Sequence, residues 1–114
     1  MQLWERQALF AQNVAQLILY INSHNHKVTF GETFRTPEQA LLDAKEGKGI
    51  INSLHCKRLA VDLNLFDNAG TYIGNYEVYK PYGDYWKTLH VLNRWGGDFT
   101  KLKDGNHFEM QENP

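Results

Sequence analysis

The sequence predicts an α+β domain, a small antiparallel sheet with flanking helices. Three observations carry this reading. Apolar residues recur at three- and four-residue steps across residues 3–21, strict alternation runs through residues 59–66, and helices and hairpin strands come in separate runs. At 114 residues the chain is expected to be a single domain, residues 1–114, with one modest core.

The elements follow in order. Leu3, Phe10, Val14, Leu17, Ile18 and Ile21 form the apolar stripe of an amphipathic helix, with Gln7, Gln12, Asn13 and Gln16 on the polar face. Ser23-His24-Asn25-His26 ends it, and residues 27–30 read as a short strand closed by Gly31. Thr36-Pro37-Glu38-Gln39 is a helix start: Thr36 caps, Pro37 suits the first turn and Gln39 can reach back. That helix runs through Ala40, Leu41 and Ala44 and stops in a loop at residues 45–49. In residues 59–66, Leu59, Val61, Leu63 and Leu65 point one way, while Ala60, Asp62 and Asn64 point the other. Asp67 to Gly70 is a turn, and residues 71–73 return as a hairpin strand. Residues 82–93 read as a helix through Tyr85, Trp86, Leu89 and Leu92, with Arg94-Trp95-Gly96-Gly97 supplying a glycine C-terminal cap. Residues 107–110 are extended.

Composition excludes several classes. With 42% hydrophobic and 22% charged residues, the chain is not expected to be disordered. A net charge of -1 gives no global attraction to nucleic acid or anionic membrane, so neither is an expected partner. Cys56 is the sole cysteine, so no intrachain disulfide forms, in keeping with synthesis in a reducing compartment. The first residues lack the basic and apolar regions of a secretory signal, and no apolar run is long enough to span a bilayer. If the target lies outside the cytoplasm, another agent must let the protein out. A monomer is expected.

The chemistry concentrates in two places. Asp62 sits inside a strand, where a carboxylate buried without a partner costs several kcal/mol, and His55 precedes it. Near the C-terminus stands Asp104-Gly105-Asn106-His107-Phe108-Glu109. Two histidines and an aspartate make a three-ligand zinc set that leaves one position for water. A nearby carboxylate outside that set would take the proton of the water. Spacing alone does not select this triple, because 5 histidines and 13 acids offer many others.

The wording of the motifs narrows the choice. Ser53-Leu54-His55-Cys56-Lys57-Arg58-Leu59-Ala60-Val61-Asp62 resembles the Ser-x-His-x-x-Gly-x-Ala-x-Asp signature of the M15 zinc peptidases. These include D-alanyl-D-alanine carboxypeptidases and dipeptidases and phage L-alanyl-D-glutamate endolysins. Asp104 to His107 resembles the second signature of the family. Phe34-Arg35-Thr36-Pro37-Glu38-Gln39 resembles the third. Arg58 stands where the family usually has glycine, a departure that bears on the local backbone and on substrate preference. Lys57 to Phe66 is similar to a branch of small phage members with arginine there.

The resemblance implies that His55, Asp62 and His107 hold Zn2+ and that Asp104 is the general base. It implies that Arg35 stabilises the oxyanion or holds a substrate carboxylate. Ser53 becomes a substrate or supporting contact, and Glu109, sharing a face with His107, orients that ligand.

Blander readings stand beside these. Asp62 could be an exposed residue paired with Lys57 or Arg58, His107 a surface histidine, and Arg35 a surface arginine. Asp104 could be a plain turn former, with Glu109 as the competing base. Cys56 next to His55 would point away from it. His24 and His26 read as loop residues, His90 as a packing residue. Tyr76, Tyr79, Tyr82, Tyr85, Trp86 and Trp95 read as core with some cleft lining.

The resulting expectation is a zinc-dependent peptidase of the peptidoglycan stem peptide, an L-alanyl-D-glutamate endopeptidase of the phage endolysin type. The alternatives are a D-alanyl-D-alanine carboxypeptidase, or a non-enzymatic metal-stabilised module of a virion or cell-wall complex.

Overall fold

The computed structural model describes residues 1–47 and 53–113. The chain runs α1 (Leu3–Ser23), β1 (Lys27–Phe30), α2 (Pro37–Lys45), a 3₁₀ turn (Leu54–Lys57), β2 (Ala60–Phe66), β3 (Tyr72–Ile73), α3 (Tyr76–Leu89), β4 (Asn93–Trp95), a second 3₁₀ turn (Gly96–Asp98) and β5 (His107–Met110). Five antiparallel strands form the sheet, in the order β1-β2-β5-β4, with β3 also on β2. The α+β expectation holds. Residues 48–49 of the expected loop lie outside the described residues.

Alternation along β2 decides which face is which. Leu59, Val61, Leu63 and Leu65 are buried and join Phe10, Leu17 and Ile21 of α1, Tyr79, Tyr82 and Trp86 of α3, and Trp95, Phe108 and Met110 in one core. The opposite face carries Asp62 and Asn64, half-buried. Because Asp62 pairs with His107 and Ala60 with Glu109, these four side chains share that second face.

Local signals explain the ends. Thr36 accepts the Gln39 backbone N–H at 3.0 Å, but the Gln39 side chain donates to Asp43 instead of reaching back. The Asp67 carboxylate accepts the N–H groups of Ala69 and Thr71, both at 2.9 Å, which closes the β2–β3 turn.

Three expectations need correction. Asn13 is buried, not on the polar face, because its side-chain oxygen accepts from the Asn93 amide at 3.0 Å. Leu3, expected in the apolar stripe, is 45% exposed. The third helix starts six residues earlier than residue 82 and ends at Leu89. Asn75 caps it by accepting the Glu77 N–H at 2.9 Å, and Pro81 lies inside it. Asn93 to Trp95 form a strand, because β5 offers a pairing edge that outweighs helical periodicity.

The glycines expected to cap that helix therefore do other work. A Cβ on Gly97 would collide with the Trp95 indole, as would one on Gly83 of α3. Gly83→Ala is expected to lower stability by about 1–3 kcal/mol through overpacking, read as an earlier urea midpoint.

Candidate functional site

Three elements bring the expected ligands together. Asp62 is fixed by the middle of β2 and His107 by the start of β5, directly opposite in the ladder. His55 comes from the 3₁₀ turn before β2, where the buried Ser53 hydroxyl accepts the His55 N–H at 3.2 Å. Ser53 thus supports the turn.

At the next corner the chain must reverse, and Arg58 does so at φ 55, ψ 38, in the left-handed region. Glycine tolerates that conformation without penalty, which accounts for the usual glycine of the resembled signature. Here the Arg58 guanidinium lies 4.0 Å over the Phe34 ring, a contact that offsets part of the strain.

The facing atoms form a tight set. Asp62 Oδ1 lies 3.4 Å from His55 Nε2 and 3.2 Å from His107 Nδ1. One donor atom from each of the three residues lies within 4.8 Å of the others. A tetrahedral zinc with bonds of about 2.0–2.1 Å has ligand-to-ligand edges of roughly 3.3–3.4 Å, so the spacing fits such an ion. Two imidazoles and a carboxylate are also the donor types it takes. The bland readings of Asp62 fail on geometry: Lys57 pairs with Glu112, and Arg58 covers Phe34.

Glu109 supports His107. Its Oε1 lies 2.7 Å from His107 Nε2, while Arg94 donates to Oε2 through Nε at 2.8 Å and also through Nη2. A carboxylate on the far nitrogen of a ligating histidine fixes both ring orientation and tautomer. Glu109 is buried, 5% exposed, and engaged at both oxygens, which removes it as the competing base.

Asp104 stands apart as the exposed carboxylate before β5. The 104–107 turn is closed by the His107 N–H donating to Asp104 O at 3.1 Å, and Asp104 N–H donates to Gly96 O at 3.0 Å. A Cβ on Gly96 would collide with the Asp104 carbonyl, so this glycine makes room for the turn. Asn106 donates to Asn64 Oδ1 at 2.9 Å and ties the turn to β2. Beside Asp104 opens a cavity of about 430 Å³ lined by Tyr72, Tyr76, Tyr79, Lys103 and Asn106.

Electrostatics follow from this packing. Burial works to raise the Asp62 pKa, but hydrogen bonds and charge from His107 and His55 outweigh it and hold it at about 2. Burial works to lower the His107 pKa, but Asp62 and Glu109 on its two nitrogens lift it to about 9. Loss of water and the nearby Asp62 charge raise Asp104 above the usual carboxylate range.

After metal removal with a chelator, the His107 imidazolium contributes stability. Its folded pKa of about 9 exceeds the ordinary imidazole value of 6.5, so the contribution is full below 6.5 and lost as pH rises through about 9. The melting temperature of the chelated protein is expected to fall across that window, and that of the zinc-loaded protein to change less.

Arg35 lies one layer out. Its backbone N–H donates to His55 O at 3.3 Å, its guanidinium pairs with Glu32, and Nε lies 4.0 Å from Asp43 Oδ2. Sequence reasoning missed Glu32, whose Oε1 is 3.6 Å from His55 Nε2. The signal for it was Gly31-Glu32 at the end of a strand pairing with β2, legible only once the register is known. Arg94 was also missed as the partner of Glu109.

The remaining candidates lie elsewhere. Cys56 Sγ is 3.9 Å from Thr36 O. The loop reading of His24 and His26 needs amending: His24 Nδ1 is 2.8 Å from Tyr20 O, and the half-buried His26 Nδ1 is 2.5 Å from the Tyr82 hydroxyl. His90 Nδ1 accepts the Leu92 N–H at 3.0 Å. Tyr79, Tyr82, Trp86 and Trp95 are core, and Tyr76 and Tyr79 line the cavity beside Asp104.

A sheet-borne His-Asp-His set with an unengaged carboxylate beside it is the arrangement of a zinc-dependent hydrolase. The family model described as D-alanyl-D-alanine carboxypeptidase matches residues 46–110, more than half of the chain. The chain belongs to that family, the M15 zinc peptidases, and is an enzyme whose cofactor is zinc. Among curated proteins none matches the sequence. Two solved structures share the fold. The L-Ala D-Glu endopeptidase ChiX of Serratia marcescens is 20% identical at a TM-score of 0.75, covering 90% of this chain and 77% of its own. The vancomycin-resistance D,D-pentapeptidase VanY of a VanB-type cassette, a mutant in complex with Zn(II), is 15% identical at a TM-score of 0.60, covering 89% and 70%.

Proposed function

We propose that this protein hydrolyses a peptide bond of the peptidoglycan stem, most specifically as an L-alanyl-D-glutamate endopeptidase of the phage endolysin type. The observation that carries the reading is the convergence of His55, Asp62 and His107 beside Asp104 in a chain of this family. The likeness to an L-Ala D-Glu endopeptidase and the phage-like wording of residues 57–66 support the finer assignment.

In this reading His55, Asp62 and His107 hold the zinc. When bound, that ion polarises a peptide carbonyl and acidifies a neighbouring water. Asp104 accepts the proton of that water as its oxygen adds to the carbonyl carbon, then passes the proton to the departing amine as the C–N bond breaks. Glu109, held by Arg94, keeps the His107 ring aimed. Arg35 faces the developing negative charge on the carbonyl oxygen. The tyrosine-lined cavity beside Asp104 receives the stem peptide. Synthesis in a host cytoplasm, with release to the wall through a membrane-permeabilising partner, completes the proposal.

Mass spectrometry of fragments from purified peptidoglycan tests it, because the new termini name the bond. New L-alanine carboxyl ends and D-glutamate amino ends are expected. Release of free D-alanine would assign a carboxypeptidase instead, and undigested wall would remove the enzymatic reading.

A further inference from the structure

Glu32 has no role in the scheme above, yet its Oε1 lies 3.6 Å from His55 Nε2. Its position is set by the main chain. Gly31 N–H donates to Asp62 O at 2.7 Å, and Asp62 N–H donates to Glu32 O at 2.9 Å, extending β1–β2 pairing past Phe30. A Cβ on Gly31 would lie 3.0 Å from Asp62 Cβ, a tight contact that glycine avoids where the two backbones run so close. The strand that presents Asp62 therefore also presents Glu32.

The carboxylate of Glu32 stands between Arg35 and the ligand cluster. Oε1 accepts from Arg35 Nη2 and is 3.6 Å from His55 Nε2. Behind the guanidinium, Asp43 Oδ2 lies 4.0 Å from Nε. One arginine thus already faces two carboxylates. A third, brought by a substrate, would meet Glu32 before it met an uncompensated cation, and like charges in that position repel. The scissile carbonyl oxygen arrives neutral and gains charge only as the water adds, so it meets a smaller barrier than a full carboxylate and can still use guanidinium donors.

We infer that Glu32 is a specificity-determining residue that prevents Arg35 from acting as a receptor for a substrate carboxylate. The site therefore favours substrates whose carboxyl group next to the scissile bond is neutral, as a carboxamide or a continuing peptide. For an L-alanyl-D-glutamyl substrate this means the amidated, D-isoglutamine form. The inference rests on the peptidase reading and refines it. Lys103 belongs to the tyrosine-lined cavity and pairs with neither Glu32 nor Arg35, so its contribution is common to wild type and to the variants below.

The test uses the zinc-loaded full chain and two synthetic stem peptides that differ only in carboxylate against carboxamide at that position. Wild type is expected to favour the carboxamide in both kcat/KM and calorimetric binding. Glu32→Gln, which keeps the shape and an acceptor for Arg35, should shift both ratios roughly tenfold towards the carboxylate. Adding Arg35→Ala should abolish that shift. Equal ratios in wild type and Glu32→Gln would overturn the inference, as would a shift that survives Arg35→Ala. Neither result touches the peptidase reading, which fails only if wild type cuts neither peptide nor purified wall. The binding ratios decide the role of Glu32 even then.

Discussion

Replacing Asp104 with alanine is expected to lower kcat by about 10²–10⁴-fold, the usual cost of losing a positioned general base. KM should move far less, and bound zinc should stay near that of the wild type. Among the four carboxylates near the cluster, Asp62 is engaged by both histidines, Glu109 by His107 and Arg94, and Glu32 by Arg35. Asp104 alone is exposed, and its side chain makes no hydrogen bond among the described residues. Its backbone is nevertheless fixed at both ends, by Gly96 and by the His107 N–H. A raised pKa makes it a better proton acceptor than a free aspartate when ionised. Asp104→Asn, which keeps the shape and removes the basicity, should lose as much activity as alanine. Retained hydrolysis in both variants would shift the base to another group.

The second large effect is expected at His107. His107→Ala removes one donor of three and also the partner that anchors Glu109, so zinc affinity should fall by more than the 10–100-fold typical of losing a supporting residue alone. Chelator competition against a coloured zinc indicator measures this directly. Glu109→Gln leaves the ligand in place and weakens only its support, so its loss should fall within about 10–100-fold. An equal loss in the two variants would contradict the division between ligand and support. Circular dichroism recognises unfolding separately, because Phe108 and Met110 of the same strand hold the core.

Much of this site was legible because strand geometry has a period of two. Once Leu59, Val61, Leu63 and Leu65 are assigned to the core, Asp62 must face the other way, and a half-buried carboxylate there asks for a partner. The Asp104-Gly105-Asn106-His107 run was legible as a turn from its Asp-Gly pair, and resemblance to family signatures tied the two segments together. What the chain did not reveal depended on register and distant packing. Glu32 reaches His55 only because β1 pairs with β2 at one particular offset. Asn13 is buried only because Asn93, eighty positions along, supplies its hydrogen bond. The start of α3 was placed six residues late, because the true cap is Asn75 and Pro81 lies within the helix. Periodicity carried that helix too far as well: Leu92 falls on the helical pattern but packs from the approach to β4. Gly96 and Gly97 looked like an ending, and their actual use, close approach to the 104–107 turn and to Trp95, appears only in three dimensions.

Arg58 shows how a departure from a family pattern can be read physically. The left-handed φ of 55 at this corner is the conformation glycine provides, so the substitution changes the residue without changing the turn. His55 stays in place because its own position is set by Ser53 and by the Arg35 N–H on its carbonyl.

Anomalous diffraction at the zinc edge, from crystals of the zinc-loaded protein, tests the central claim most directly. One peak is expected, bonded to His55 Nε2, Asp62 Oδ1 and His107 Nδ1, with the Asp104 carboxylate nearby but not among the ligands. A peak at any other group of side chains, or none in protein shown to carry stoichiometric zinc, would contradict it.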